Sequence, residues 1–150
     1  MSEPDATPSD RATPSDRATP SDRATPSDLT PPQATGPYST TRRVGDVLYL
    51  SGQSATDPVT GEAVPGDIPA QTELTLRNMH ALLESEGFAL TDLVQVICYL
   101  TDMDDWPQMN QAYTAYFAGQ RLPTRAAVGV ASLPFGLNVE MVGIAHRADS

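Results

Sequence analysis

Residues 93–117 run Leu-Val-Gln-Val-Ile-Cys-Tyr-Leu-Thr-Asp-Met-Asp-Asp-Trp-Pro-Gln-Met-Asn-Gln-Ala-Tyr-Thr-Ala-Tyr-Phe, and the change of period inside this stretch decides the fold. Leu93 to Leu100 is a nearly continuous apolar run with β-branched and aromatic residues, which reads as a strand covered on both faces. Thr101-Asp102-Met103-Asp104-Asp105 supplies several candidate caps. Beyond them Trp106, Met109, Tyr113, Tyr116 and Phe117 recur at helical spacing as one aromatic-rich stripe. A strand thus leads into an amphipathic helix.

Upstream, Gly45-Asp46 is a turn signal before Val47-Leu48-Tyr49-Leu50-Ser51, a short run of strand formers ending at Ser51-Gly52. Asp57-Pro58-Val59-Thr60-Gly61 is a turn, and Pro65 keeps the chain irregular up to Asp67. Asp67 is placed as an N-cap two residues before Pro69. Leu76, Met79 and Leu83 then follow at i, i+3, i+7 until Gly87, a helix of about five turns. Downstream, Ala126 to Ala131 and Asn138 to Ala145 read as two strands joined through Pro134-Phe135-Gly136, an expected hairpin. The order strand, helix, strand, helix, strand, strand predicts an α+β fold, a mixed sheet with two helices packed on one face. Its other face is left uncovered and invites oligomerisation.

The 150 residues are not used evenly. Eight of the 14 prolines fall in the first 37 residues, where four copies of Ala-Thr-Pro-Ser-Asp occur between Ala6 and Asp28. These repeats have no apolar residue large enough to offset the entropy of ordering them, so residues 1–34 are expected to be a disordered tail. The tail reads either as an interaction or phosphorylation segment or as a repeat expansion without a role. Residues 35–150 form one domain.

Formal net charge is −10, and all nine basic residues are Arg. Such a surface repels phosphate backbones, and Arg42-Arg43 is only a pair, so nucleic acid is not an expected partner. Cys98 is the sole cysteine, which excludes an internal disulfide and fits a reducing cytoplasm. No signal-peptide pattern opens the chain and no apolar run is long enough to span a bilayer, so no membrane partner is expected.

Among residues that could carry chemistry, Cys98 lies in an apolar strand where a thiolate is costly, and reads as core. His80 and His146 have no second ligand at helix or hairpin spacing, and Asp102, Asp104 and Asp105 read as caps, so no metal site is supported. More telling is a charge pair. Arg125 opens one of the last strands, and Glu140 shares a face of the other with Val142 and Ile144, where a carboxylate needs a partner. The pair reads as a structural ion pair, as a rim glutamate facing solvent, or as a site. In a simple hairpin Glu140 pairs with about Val130, leaving Arg125 on the order of 17 Å away. A simple hairpin does not join them, whereas a bulge or a neighbouring subunit can bring them to one cavity.

Gly36-Pro37-Tyr38-Ser39, Leu50-Ser51-Gly52-Gln53, Asp57-Pro58-Val59-Thr60-Gly61, Thr101-Asp102-Met103, Asn110-Gln111-Ala112-Tyr113, Leu122-Pro123-Thr124-Arg125-Ala126-Ala127 and Leu133-Pro134 followed by Val139-Glu140 occur in one order. Together they resemble the Rid/YjgF family, and within it the RidA branch of enamine/imine deaminases, over about Gly36 to Arg147. The resemblance implies a chorismate-mutase-like α+β fold, a homotrimer and three clefts between subunits. It implies cofactor-free hydrolysis of 2-iminopropanoate and related 2-imino acids to 2-oxo acids and ammonia. Carried over by position, Arg125 matches the arginine that holds the substrate carboxylate and Glu140 the acid that positions water. Tyr38, Ser51 and Asn110 match further cleft residues, Gly52 offers backbone, and Ala127 occupies a pocket position that adjusts substrate size.

The chain departs from the pattern at Val142, where many relatives carry a second acid, and at Phe135, which replaces a commonly basic turn residue. Two other readings remain beside the deaminase. One is a trimer that binds a small carboxylate through Arg125 without turnover. The other is the endoribonuclease or translation inhibitor that some family members have been described as, against which the net charge of −10 argues.

Overall fold

The computed structural model describes residues 29–147. The repeats of residues 1–28 lie outside the described residues. Of the rest of the expected tail, residues 29–34 are irregular, with Pro32 buried and Pro32, Gln33 and Ala34 lining a surface cleft.

Five strands, β1 (Thr41–Val44), β2 (Val47–Ser54), β3 (Leu93–Leu100), β4 (Thr124–Gly129) and β5 (Val139–His146), form one mixed sheet in the order β1-β2-β5-β3-β4. Two helices, α1 (Ile68–Ser85) and α2 (Trp106–Phe117), pack against each other and against one face of it. Asp67 caps α1 as its sequence predicts, its carboxylate accepting the Ala70 N–H at 3.0 Å. Leu48, Leu50, Leu76, Met79, Leu83, Val96, Cys98, Met109, Phe117, Val139 and Met141 fill the space between helices and sheet. Gly143 lets α1 lie close to β5, because a Cβ there would stand 2.7 Å from Met79 Cε.

The expected hairpin of the last two strands does not form. β4 pairs parallel with β3, and β5 runs antiparallel between β3 and β2, so β3 separates the two. The reason is α2. A strand followed by a packed helix returns parallel to its start, which places β4 at the edge and leaves the centre of the sheet to β5. Residues 130–138 then arch over the end of β3, held by the Val130 N–H on Leu100 O at 2.8 Å and the Thr101 N–H on Asn138 O at 3.2 Å.

Two further expectations change. β1 was not legible, because Thr-Arg-Arg-Val carries no apolar alternation, yet it pairs with β2 through the turn at Gly45 (φ 60°). β3 is covered on one face only: Val96, Cys98 and Leu100 are buried, whereas Gln95 is exposed and Ile97 and Tyr99 are half-buried. Among the described residues nothing covers the other face, which carries Tyr49, Ile97, Tyr99, Val142 and Ile144.

Candidate active site

Side chains alternate across a strand, and paired residues share a face. Arg125 pairs with buried Val96, and Ala127 with buried Cys98, so both point to the helix-covered side of the edge strand β4. Glu140 pairs with Tyr99 on one side and Ser54 on the other, and points to the open side. The two charges therefore stand on opposite faces, two strands and three residues apart, about 14 Å by strand spacing and rise. Within one chain they do not form an ion pair or share a cavity, and two candidate half-sites result.

The first half-site is built on β4 and α2. Arg125 Nη2 donates to Asn110 Oδ1 at 2.7 Å, and the guanidinium carbon lies 4.7 Å from the centroid of the Tyr113 ring. Asn110 and Tyr113 are three residues apart on α2, hence neighbours on one helix face. The Tyr113 ring packs on Phe117 with centroids 4.9 Å apart. Met103, Trp106 and Ala127 share an open cleft with Arg125. Among the described residues no carboxylate lies within ion-pair distance of Arg125, so a half-buried cation faces this cleft without a counter-ion. Cys98 lies on the same side of the sheet, and burial pushes its thiol up to about 11 although the Arg125 charge pulls the other way. It is core, as its setting in the strand predicts.

The second half-site is built on β2 and β5. Their ladder shifts register between Leu50 and Gln53, a bulge that places Ser51 and Gly52 out of step. At this bulge Gly52 presses its backbone against Glu140: a Cβ at 52 would overlap the Glu140 carboxylate, with Cδ only 3.0 Å away. Burial raises the Glu140 carboxyl above its ordinary range. Tyr38 and Gly52 line one cleft, closed on other sides by the 57–61 turn and Phe135. The Tyr38 hydroxyl is tied to Thr35, 3.0 Å from its Oγ1. Ser51 Oγ donates to Ser39 O at 2.7 Å, fastening the segment that carries Tyr38 to β2.

Thus Arg125, Asn110 and Ala127 come together on one side; on the other, Gly52 meets Glu140 and also lines the cleft that Tyr38 lines, with Ser51 as a fastening. Reasoning from sequence missed Tyr113, Met103 and Trp106 as neighbours of Arg125. Trp106 and Tyr113 flank Asn110 on α2, a signal absorbed by the reading of the aromatic stripe as core, and Met103 lies just before α2 in the run read as caps. Among the described residues no three His, Cys, Asp or Glu side chains cluster as metal ligands would, and no helix is long and apolar enough to cross a membrane.

A family model described as Endoribonuclease L-PSP matches residues 29–147. The chain belongs to the Rid/YjgF family. Within that family it is 44% identical over 112 residues to a RutC family protein of Pyrococcus horikoshii, covering 75% of this chain and 88% of the relative. It is 39% identical over 112 residues to the 2-iminobutanoate/2-iminopropanoate deaminase of Mus musculus, covering 75% and 82%. Among solved Rid structures, E. coli TdcF with bound serine superposes with a TM-score of 0.74 at 33% identity, covering 79% of this chain and 94% of that one. RidA from a Psychrobacter species gives 0.74 at 38% identity with the same coverage. The α+β architecture of this chain is that of the family.

Proposed function

We propose that this Rid protein hydrolyses small 2-imino acids, 2-iminopropanoate and 2-iminobutanoate among them, to 2-oxo acids and ammonia, in clefts between the subunits of a homotrimer. The observation that carries the reading is an Arg125 cation with no counter-ion among the described residues on one face and a Glu140 carboxylate disfavoured by burial on the other. A ligand that needs both is met only where the open face of one subunit docks beside the β4 edge of the next. The apolar residues left uncovered on the open face give that docking its driving force.

In such a cleft the guanidinium fork of Arg125 binds the substrate carboxylate bidentately, and Asn110 holds the fork from behind. This fixes the imino carbon relative to Glu140 of the neighbouring subunit. With the imine nitrogen protonated, water adds to that carbon and gives one proton to Glu140, leaving a neutral carbinolamine. Glu140 returns that proton to the amino group; as the C–N bond breaks, the hydroxyl proton passes to Glu140 and on to the departing ammonia, so that 2-oxo acid and ammonium leave. A carboxyl whose charged form burial disfavours suits a group that must both take and give a proton. Gly52 leaves room for the carboxylate, and no step calls for a cofactor. Deaminase-named relatives at about 39% identity support the reaction class.

The test is to add the protein to a running threonine or serine dehydratase assay, where 2-oxo acid should appear faster. Glu140→Gln should lower that turnover on the order of 10²–10⁴-fold. If the Gln variant still binds 2-oxo acid but the wild type gives no acceleration, the protein is a carboxylate-binding trimer and the deaminase reading fails.

A further inference from the structure

Arg125 sits on an edge strand with one sheet neighbour, and an arginine side chain free to rotate there would have to be ordered by each ligand it bound. Two contacts remove that freedom. Asn110 Oδ1 accepts from Nη2 at 2.7 Å, and the guanidinium carbon lies over the Tyr113 ring, 4.7 Å from its centroid. Tyr113 is itself held by packing, 4% exposed and set against the Phe117 ring.

The Tyr113 hydroxyl is the odd part. It is buried with no hydrogen-bond partner among the described residues, a cost that phenylalanine would avoid. The hydroxyl therefore is not what fastens Arg125. What the guanidinium meets is the electron-rich face of the ring, which attracts a cation most when both are shielded from water. With one side of the guanidinium on the ring and one edge on Asn110, the remaining edge is left toward the cleft shared with Ala127, Met103 and Trp106.

We infer that Tyr113 is a positioning residue for carboxylate binding, its ring face orienting the Arg125 guanidinium so that one edge stays free for the ligand. The inference rests on the carboxylate-holding role of Arg125 proposed above. Tyr113 need not touch substrate, so its effect belongs to affinity and not to the hydrolytic step.

The test measures binding of 2-oxobutanoate to the full chain by calorimetry, together with KM and kcat. Tyr113→Phe keeps the ring and should bind as the wild type does. Tyr113→Leu keeps the bulk without the π-face and should bind on the order of tenfold more weakly, with KM raised by the same factor and kcat nearly unchanged. Because a core substitution can disturb folding, a second series places mono-, di- and trifluorinated phenylalanines at 113. These keep the shape while withdrawing electron density from the face, and affinity should fall stepwise with no parallel fall in Tm. Affinity that is flat across the fluorinated series overturns the inference, even if Tyr113→Leu binds weakly. Arg125→Ala separates the two claims. If it abolishes binding while Tyr113→Leu and the fluorinated chains bind normally, Arg125 holds the carboxylate without help from Tyr113. If Arg125→Ala binds as tightly as the wild type, the carboxylate role and the inference fall together.

Discussion

Replacing Gly52 by alanine should separate activity from stability. Ideal geometry puts the new Cβ on the Glu140 carboxylate, 3.0 Å from Cδ and 3.4 Å from Cγ, inside the 3.5–4.0 Å at which carbon atoms rest. The carboxylate must retreat by about 1 Å or more. It can do so without moving backbone, since the colliding atoms are the end of a flexible side chain, and Gly52 is not among the glycines with positive φ. Thermal unfolding should therefore shift by no more than a few degrees. Turnover should fall about 10²-fold, the loss that follows when a reacting group is misplaced by about 1 Å. The assay is release of 2-oxo acid from an imine generated in situ, beside a melting curve. In a Glu140→Gln background the alanine should cost almost nothing further, because two changes acting through one group do not add. A Gly52→Ala enzyme with full turnover, or additive losses in the double variant, would refute the placement of Gly52 as the wall that positions Glu140.

Two further predictions concern stability. Burial raises the Glu140 carboxyl above its value in the unfolded chain, so its stabilising share is complete at pH values below the unfolded value of about 4.3 and is lost as pH rises through the raised value. Glu140→Gln should hence melt higher than the wild type at neutral pH, the difference closing as pH falls toward 4; a gap independent of pH would contradict this. Phe135 is 54% exposed and holds a left-handed backbone (φ 65°, ψ 14°) that bulky residues resist, whereas Asn tolerates it. Phe135→Asn should raise unfolding free energy by up to about 1 kcal/mol in denaturant titrations, and a loss of that size would show that the ring packs against something worth more than the strain.

How much of this was legible in the chain depended on the range of the interaction involved. Both helices could be read because their signals are local: Asp67 caps, Leu76, Met79 and Leu83 repeat, Gly87 ends the pattern. Strand pairing could not, since the choice between a β4–β5 hairpin and a β5 inserted beside β3 is decided by how α2 packs, which no window around Pro134 contains. That error also misplaced the charges. A hairpin put Arg125 and Glu140 at a distance along neighbouring strands, whereas the observed order puts them on opposite faces of one sheet. The Glu140 half was partly visible in the apolar company of Val142 and Ile144, but the pressure of Gly52 on its carboxylate depends on the bulge between Leu50 and Gln53. Tyr113 was read as core, which it is, and its second contact became visible only with Arg125 stacked on it.

In the proposed trimer each site draws Arg125 and Glu140 from different subunits, which mixed trimers can test. Arg125→Ala and Glu140→Gln chains, each inactive alone, are unfolded together in equal amounts, refolded and assayed. If a cleft takes its arginine from one subunit and its glutamate from the next, random assembly completes about a quarter of the clefts, and activity should return to about a quarter of that of refolded wild type. If one subunit supplied both groups, no mixture could assemble an intact site. Activity no higher than that of the two variants refolded separately would contradict the account.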